Sequence, residues 1–416
     1  MARLVIVGAA LAGLRAAEAA RRFGFADEIT LVGAEPHLPY DRPPLSTQFL
    51  TANPPAQRPP TLRGIENLAG LDVDPRLGCA ATALDPVHRL VRVDNGGTDI
   101  DLAYDALLIA TGSRARSLPG TEQLAGVHTL RTWEDARQIR AALDAGARTI
   151  VVGAGFIGSE VAASASRHGV PVTVLEALPV PLAGAIGPAL GKVCAELHER
   201  NGVAVRCGVG VAAIEGDHGQ VRRVRLAGAS PGQGAGNGGN GIVLPADLVV
   251  VGIGAVPNTG WLATSGLDLA GGVMCDEYLA ASAPGVYAAG DVARFANPVF
   301  GGERMRLEHW TTAVEQGVAA ARNAVAELNG EPRIPFRTVP YFWSDLYDSR
   351  IEFVGLPSAE EIQVVVGGEG GLLAVYRRGD RLIGAFGVNS GKWITVCRGL
   401  IGAGAGWNEG LHALTA

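Results

Sequence analysis

Three glycines in "VGAGFIGSE" are the residues of the chain with the clearest chemistry. Gly153, Gly155 and Gly158 have GxGxxG spacing between an apolar run and a helical pattern. Such a turn offers backbone N–H groups and the positive end of a helix dipole to a pyrophosphate. Glu176 lies 18 residues after Gly158, where its carboxylate can accept the hydroxyls of an adenosine ribose. The pattern predicts a dinucleotide site.

A second copy of this pattern lies near the start of the chain, in "VGAALAGLRAAE". Gly8 and Gly13 keep the outer positions, Ala10 replaces the middle glycine, and Glu35 follows Gly13 by 22 residues. A lone GxGxxG also occurs in turns that bind nothing. Here each copy has a strand-turn-helix-strand context and an acidic residue at the expected distance, which favours two dinucleotide sites in one chain.

Two βαβ units must position these turns. Residues 4–7 and "EITLVGAE" are the strands of the first unit, and "TIVV" and "PVTVLEA" are those of the second. "YDALLIATGS", at 104–113, is predicted to be a buried strand that leads from one domain to the next. "PGVYAAGDVARF" is predicted as a further strand and "EHWTTAVEQGVAAARNAVAEL" as a long helix.

The remaining segments differ in composition. Residues 36–66 are rich in Pro and Arg, so a loop with a short helix over the ligand of the first unit is expected. The low-complexity insert "ASPGQGAGNGGNG", at 229–241, is interpreted as a hairpin tip. After Gly330, alternating segments such as "LLAVYRR" and "LIGAFGV" predict a small antiparallel sheet as a third domain.

Composition narrows the function further. The 416 residues are 48% hydrophobic and include 58 glycines, and the net charge of −6 argues against a nucleic-acid partner. The five cysteines, at 79, 194, 207, 275 and 397, form no CxxC pair or metal-ligand cluster, and no metal is expected. With no leader pattern and no membrane-spanning run, a cytoplasmic protein without a membrane partner is the expectation. Glu176 would repel a 2′-phosphate, which favours NADH over NADPH as the ligand of the second turn.

Several long motifs together resemble the FAD-dependent, NADH-oxidising ferredoxin reductases that serve bacterial cytochromes P450 and ring-hydroxylating oxygenases. The resemblance covers essentially the whole chain. It is carried by "GAALAGLRAAE", "YDRPPLS", "LLIATGS", "GAGFIGSEVAA", "VYAAGDVAR", "EHWTTAVEQG" and "PYFWSDLYD".

The resemblance implies an α/β fold with two Rossmann-like domains on the plan of glutathione reductase, plus a small α+β C-terminal domain. FAD is expected in residues 1–113 and 246–329, NAD in residues 114–245, and the C-terminal domain in residues 330–416. The partner is an iron–sulfur ferredoxin bound transiently through electrostatic attraction, and the enzyme is expected to be a monomer or weak dimer.

The resemblance also assigns residues to FAD. Ala12 and Gly13 are placed at the pyrophosphate and Glu35 at the ribose, and Arg42 is expected to neutralise phosphate charge. Asp291 is expected to accept a ribityl hydroxyl, although an aspartate there can also simply cap a turn. The other residues implied at FAD are Gly8, Ala10, Thr47, Ala81, Ala110, Thr111, Gly112, Arg131, Trp310 and Trp343. For both tryptophans, ordinary packing stays an open alternative.

On the NAD side, the resemblance places Glu160 beside the nicotinamide and the flavin N5. A glutamate one turn into a helix can also serve only as a partner of the helix dipole. The family usually has a lysine where Thr47 stands, and a hydroxyl cannot neutralise a carboxylate. Glu160, if buried, is therefore expected to be harder to ionise than in typical members. The other residues implied at NAD are Gly153, Gly155, Phe156, Ile157, Gly158, Glu176 and Gly254.

Three further interpretations concern partners and competing functions. Arg294, Arg304 and Arg306 are candidates for a surface that attracts an acidic ferredoxin, while a solvated face is the alternative for each. A disulfide reductase would need a cysteine pair, which "DRPPLSTQFL" lacks. An NADH oxidase or peroxidase would need only one reactive cysteine, and a slow redox-dependent binding protein would need none.

Overall fold

The computed structural model describes residues 1–62, 68, 70–227, 241–366 and 371–415. The predicted hairpin tip at 229–241 falls almost entirely outside these residues. Among the described residues, no helix combines the length and the hydropathy needed to cross a membrane.

The described residues contain both helices and strands throughout. The helices are α1 (Leu11–Arg22), α2 (Gln48–Thr51), α3 (Trp133–Asp144), α4 (Phe156–Ser166), α5 (Ala183–Ile186), α6 (Pro188–Arg200), α7 (Trp310–Asn329), α8 (Gly391–Ala403) and α9 (Trp407–Thr415). The first ten strands along the chain are β1 (Arg3–Val7), β2 (Glu28–Gly33), β3 (Val73–Leu77), β4 (Ala80–Asp85), β5 (Leu90–Asp94), β6 (Asp99–Ala103), β7 (Ala106–Ile109), β8 (Ser113–Ala115), β9 (Val127–Thr129) and β10 (Thr149–Val152). The later strands are β11 (Val172–Glu176), β12 (Ala204–Cys207), β13 (Val211–Asp217), β14 (Gln220–Leu226), β15 (Val243–Pro245), β16 (Leu248–Val251), β17 (Ala255–Pro257), β18 (Val273–Cys275), β19 (Val286–Ala288), β20 (Ala293–Asn297), β21 (Glu303–Arg306), β22 (Tyr341–Leu346), β23 (Ser349–Gly355), β24 (Glu361–Val366), β25 (Leu372–Arg378) and β26 (Arg381–Val388).

These elements form two compact units. The first consists of residues 1–41, 59–114 and 256–342, and the second of residues 42–58, 115–255 and 343–416. This division differs from the predicted three domains, whose boundaries stay predictions. Residues 42–58 belong to the second unit, and β16 pairs with β10 in the sheet of that unit, so residues 248–251 lie with the second glycine turn.

The first unit is built on a parallel sheet with strand order β19-β7-β1-β2-β3. Its central strands contain buried apolar runs such as Leu4–Val7 and "ALLI", as expected for a parallel sheet covered on both faces, whereas the edge strand β3 is only partly buried. Helix α7 packs against α1: a Cβ at Gly317 would lie 2.4 Å from the Ala12 carbonyl oxygen. The small sheets β4-β5-β6 and β18-β20-β21 complete this unit.

The second unit repeats the plan with strand order β12-β11-β10-β16-β9. All four of its strand pairs are parallel. The same unit contains the predicted C-terminal sheet, with order β22-β23-β26-β25-β24. The pairs β23–β26, β24–β25 and β25–β26 are antiparallel, which confirms the antiparallel sheet that the alternating sequence predicts.

Candidate dinucleotide-binding sites

The first glycine turn lies where the strand order of the first sheet reverses, between β1 and β7. Ligands of open α/β sheets bind at such points, beyond the carboxyl ends of the strands. A Cβ at Gly8 would lie 2.0 Å from the Ala110 carbonyl oxygen, and one at Gly13 would lie 2.0 Å from that of Gly8. Glycine is therefore required at both positions. Ala10, the N-cap residue of α1, has an extended backbone with φ −122°, which tolerates a side chain.

The surroundings of this turn fit a polar, anionic ligand such as FAD. Helix α1 has no side-chain cap and no acidic residue in its first turn, so its first N–H groups suit a pyrophosphate. Within the described residues, three buried polar atoms at the N-terminal end of α7 have no hydrogen-bond partner: His309 Nδ1, Thr312 Oγ1 and Gln316 Nε2. Buried polar atoms normally have partners, which a ligand in this position would supply.

Three hydrogen bonds hold Asp291 and its neighbour Gly290 in the first unit. Ser113 Oγ donates to Asp291 Oδ2 over 2.8 Å, and Arg306 Nη1 donates to the Asp291 carbonyl oxygen over 3.0 Å. The Gly290 N–H donates to Gln316 Oε1 over 2.8 Å. The carboxylate therefore bonds a side chain distant in sequence, and the backbone that carries it is fixed by two further contacts.

The other predicted FAD residues of the first unit lie in two groups. Thr111 exchanges hydrogen bonds with Asn258 in the loop after β7, beside Ala110 and Gly112. Glu35 accepts from the Tyr40 hydroxyl over 2.6 Å, and its carbonyl oxygen accepts from the Gly78 N–H, three residues before Ala81. Trp310 Nε1 donates to Asp41 over 2.8 Å.

The second glycine turn lies at the corresponding point of the second sheet, between β10 and β16. A Cβ at Gly153 would lie 2.4 Å from the Gly252 carbonyl oxygen, and one at Gly158 would lie 2.0 Å from that of Gly153. At Gly155, by contrast, a Cβ would find no protein atom closer than 3.8 Å. The absence of a side chain there leaves space for a ligand, as a pyrophosphate requires.

Further predicted NAD residues frame this turn. Phe156 and Ile157 begin α4, and Ile157 is 40% exposed. Gly254 has φ +97° and open space around it. Both oxygens of Glu176 already accept backbone N–H groups: Ala154 donates over 2.6 Å and Leu178 over 2.7 Å. These bonds hold the buried carboxylate at the end of β11, with lone pairs left for ribose hydroxyls.

Glu160 meets two serine hydroxyls in the second unit. Ser46 Oγ donates to its Oε2 over 2.6 Å and Ser344 Oγ donates to its Oε1 over 2.7 Å. The residue keeps some solvent exposure, but the surrounding protein desolvates the carboxyl group and raises its pKa to about 7. This shift is relative to an ordinary glutamate, so the predicted difference from typical family members stays a prediction. Thr47 is not among the hydrogen-bond donors to Glu160, since its hydroxyl donates to the Pro43 carbonyl over 3.2 Å.

Four other predicted FAD residues lie in the second unit. Arg42 donates to the Arg131 carbonyl oxygen, so the structure brings these two together, while Trp343 lies on β22 beneath the Arg350 guanidinium. Together with Thr47, their predicted contacts with FAD stay predictions.

A buried arginine fixes the segment that carries Ser46 and Thr47. Arg140 is 8% exposed. Its Nη1 donates to the carbonyls of Phe49, Leu50 and Ala52 over 2.7–3.1 Å, and its Nε donates to Asp144 over 2.8 Å. The last carbonyls of a helix have no partner within it, so this guanidinium caps the C-terminal end of α2.

The cysteines show no sign of redox chemistry. All five are free thiols. Burial raises the pKa of Cys194, Cys275 and Cys397 to about 12, and burial together with Glu176 and Glu199 raises that of Cys207. A reactive cysteine needs the opposite shift, so these four thiols do not fit the redox-active cysteine of a disulfide reductase or a cysteine-dependent peroxidase.

The sequence interpretation missed residues that act through others. Ser46, Ser344 and Ser113 donate to predicted site residues, and Gln316 accepts from Gly290, the neighbour of Asp291. All four lie in the motifs "YDRPPLS", "PYFWSDLYD", "LLIATGS" and "EHWTTAVEQG". Their location in these motifs was the signal that the sequence offered, but a serine in a motif does not show which atom its hydroxyl bonds.

Comparison with known proteins identifies both the dinucleotide-binding part of the chain and its C-terminal part. The model of the pyridine nucleotide-disulphide oxidoreductase family matches residues 2–317, and that of the reductase C-terminal domain matches residues 341–412. The chain is 37% identical to rhodocoxin reductase of Rhodococcus erythropolis, over 93% of this chain and 86% of that protein. It is 36% identical to the ferredoxin--NAD(+) reductase component of the p-cumate 2,3-dioxygenase system of Pseudomonas putida, over 96% of this chain and 92% of that protein.

A solved structure gives the same picture of the fold. The reductase in the covalent putidaredoxin reductase-putidaredoxin complex superposes with a TM-score of 0.86 and 31% identity, covering 97% of this chain and 93% of that one. FAD and a nicotinamide dinucleotide are the cofactors of these enzymes. The chain therefore belongs to the pyridine nucleotide-disulphide oxidoreductase family, among the FAD-dependent ferredoxin reductases that carry the reductase C-terminal domain.

Proposed function

We propose that this flavoprotein oxidoreductase takes hydride from NADH and supplies single electrons to an iron–sulfur ferredoxin of an oxygenase system. The observation that carries the proposal is the pair of glycine turns, each at the switch point of its own parallel sheet. One turn has Asp291 and orphaned buried polar atoms beside it, and the other has Glu176 and open space at Gly155. The kinship with reductases of dioxygenase and putidaredoxin systems supports the choice of ferredoxin as the acceptor.

The residues of the chain bind, orient and shield the two dinucleotides. The N-termini of α1 and α4 bind the two pyrophosphates, Glu35 and Glu176 accept ribose hydroxyls, and Asp291 accepts a ribityl hydroxyl. FAD, when bound, takes up electrons as a pair and releases them singly, which a hydride donor and a one-electron acceptor together require. With cofactors supplying the redox chemistry, the chain contributes alignment and electrostatics.

The donor preference gives the first test. The buried Glu176 carboxylate repels a 2′-phosphate, so kcat/KM should be at least about tenfold higher with NADH than with NADPH. Steady-state oxidation of both donors, with a panel of ferredoxins as acceptors, measures this ratio. Glu176→Gln should lower the ratio of kcat/KM with NADH to kcat/KM with NADPH, because the charge is lost while an acceptor oxygen remains.

The control for this test is Glu122→Gln, which removes a charge from an exposed loop residue of the same unit and should leave the ratio unchanged. Faster turnover with NADPH than with NADH by the unmodified enzyme would overturn the donor assignment. Absence of turnover with every ferredoxin, in a protein that binds FAD and NADH, would overturn the acceptor assignment.

The predicted arginine surface is a face of one sheet. In β20–β21 pairing Arg294 lies opposite Arg306, and Arg304 is two residues before Arg306 on the same strand, so all three side chains share a face. Arg306 bonds Glu308 over 2.6 Å, and its charge is compensated. Arg294 and Arg304 donate to the carbonyls of Ala270 and Cys275 and form no ion pair within the described part of the chain. We propose that these two attract an acidic ferredoxin.

Removal of one of these charges should weaken that attraction. Arg304→Ala is expected to raise KM for ferredoxin about two- to fivefold at low salt, the size of a partly solvated charge contact of up to ~1 kcal/mol. The increase should vanish at high ionic strength because salt screens exposed charges. Arg92→Ala, in the same unit and paired with Asp101, serves as the matched control. A KM for ferredoxin that does not depend on salt in the unmodified enzyme would contradict the proposal.

A further inference from the structure

Ser46 and Ser344 meet Glu160 from two distant parts of the chain. Ser46 precedes Glu160 by 114 residues and Ser344 follows it by 184. Both serines are 0% exposed, and each hydroxyl donates to a different oxygen of the same carboxyl group. The Ser46 backbone is fixed in turn, because its carbonyl oxygen accepts from Ser164 Oγ over 2.6 Å. The two hydroxyls therefore define one orientation of Glu160.

The charges around this group make the arrangement unusual. The strongest influences on Glu160 are burial, the two serine hydroxyls and Asp345, whose charge raises the pKa while its backbone N–H lowers it. None of these is a cation. Thr47 lies next to Ser46, but its hydroxyl is directed to Pro43. The donors that stabilise the ionised form at this position are the two serine hydroxyls first and the Asp345 backbone N–H after them, since a hydrogen bond to a carboxylate favours its charged form.

We propose that Ser46 and Ser344 are positioning residues that together orient the Glu160 carboxyl group and stabilise its ionised form in place of a cationic partner. The inference rests on the proposed function only in placing Glu160 beside the nicotinamide. Loss of hydride leaves a positive charge on that ring, so an ionised carboxylate nearby accelerates the transfer. The serines then set the pH at which the faster form of the enzyme predominates.

The direction of the pH effect follows from the chemistry of the donors. Glu160 is protonated below a pH of about 7 and ionised above it. Removal of a hydroxyl that bonds the carboxylate destabilises the ionised form, so the pH at which Glu160 is half ionised rises. A hydrogen bond to a charged group contributes enough for a shift of about one pH unit per serine. At pH 7 the ionised fraction, and with it kcat/KM for NADH, should fall about fivefold, and activity should recover near pH 9.

A spectroscopic measurement tests the serine pair independently of turnover. Infrared difference spectra of the FAD-loaded protein, recorded across pH 5–10, follow the C=O band of the protonated carboxyl group. Glu160→Gln identifies the band by its loss. In Ser46→Ala and Ser344→Ala the band should persist to higher pH by about one unit, and in the double variant further still.

The matched control is Ser390→Ala. Ser390 is a buried serine of the same unit whose hydroxyl donates to the carbonyls of Leu372 and Val388, so its loss should leave the pH midpoint of the Glu160 band unchanged. An unchanged midpoint in both Ser46→Ala and Ser344→Ala overturns the inference, whatever the ferredoxin assays show. A shifted infrared midpoint with no shift in the pH profile of kcat/KM would uphold the positioning of the carboxyl group and contradict its place at the nicotinamide.

Discussion

Replacement of Gly158 by alanine should reduce kcat/KM for NADH more than 100-fold. A Cβ at this position would lie 2.0 Å from the Gly153 carbonyl oxygen, a separation that no side chain can adopt, and the contact is to backbone rather than to a flexible side chain. The turn would have to be rebuilt, which displaces the N–H groups at the start of α4. Loss of several phosphate contacts worth roughly 1–3 kcal/mol each accounts for an effect of this size.

Gly155→Ala is the matched comparison for this prediction. Its Cβ would have no protein atom within 3.8 Å, and the backbone, with φ −74°, accepts alanine. The fold should be unaffected, whereas a methyl group facing the ligand should weaken NADH binding about tenfold, in line with ~1–3 kcal/mol for overpacking. NADH titrations, thermal unfolding and FAD content of both variants measure these effects. Normal NADH affinity in Gly158→Ala would show that the turn is not the site.

Arg140→Met should destabilise the second unit by about 3–5 kcal/mol. The substitution leaves the carbonyls of Phe49 and Ala52 without this donor, whereas the Asp144 carboxylate, 46% exposed, can turn to solvent. A backbone carbonyl left unsatisfied inside the protein costs about 1–3 kcal/mol, so the two carbonyls account for a loss of this size. Thermal unfolding should show the transition of this unit lowered by roughly 10 °C, with NADH binding weakened because residues 42–58 lose their anchor.

Arg148→Met provides the exposed counterpart. Arg148 also pairs with an aspartate, Asp247 over 2.6 Å, but the two side chains are 49% and 36% exposed. Exposed pairs contribute little, so the melting temperature should hardly change. Equal losses in the two variants would mean that the contacts of Arg140 with α2 do not stabilise the unit.

The elements of the fold follow from local sequence signals. β-Branched runs such as Ile150–Val152 followed by a glycine turn are typical of interior strands, and glycine is needed at 153 and 158 because a backbone oxygen occupies the space of their side chains. The long helix at 310–329 and the antiparallel C-terminal sheet were also predictable, because their apolar spacing is helical in one case and alternating in the other. Those features are encoded within windows of about 20 residues.

Contacts between distant segments were not predictable in this way. The sequence did not indicate that residues 42–58 pack with the second unit, where Arg140 and Ser164 donate to their carbonyls; that residues 36–66 cover the ligand of the first unit stays a prediction. The convergence of Ser46 and Ser344 on Glu160 likewise depends on tertiary structure alone. The absence of a lysine at position 47 suggested a raised pKa for Glu160, but the extent of its burial, which is the main cause of the shift, depends on the tertiary structure.

The membership of residues 42–58 in the second unit bears on protein engineering. A chimaera that exchanges only the contiguous stretch 115–255 between two relatives would combine a foreign arginine at position 140 with the host's own 42–58 segment. The donor gene must therefore supply 42–58 and 343–416 as well, so that the transplanted half arrives with the carbonyls and hydroxyls that its side chains bond.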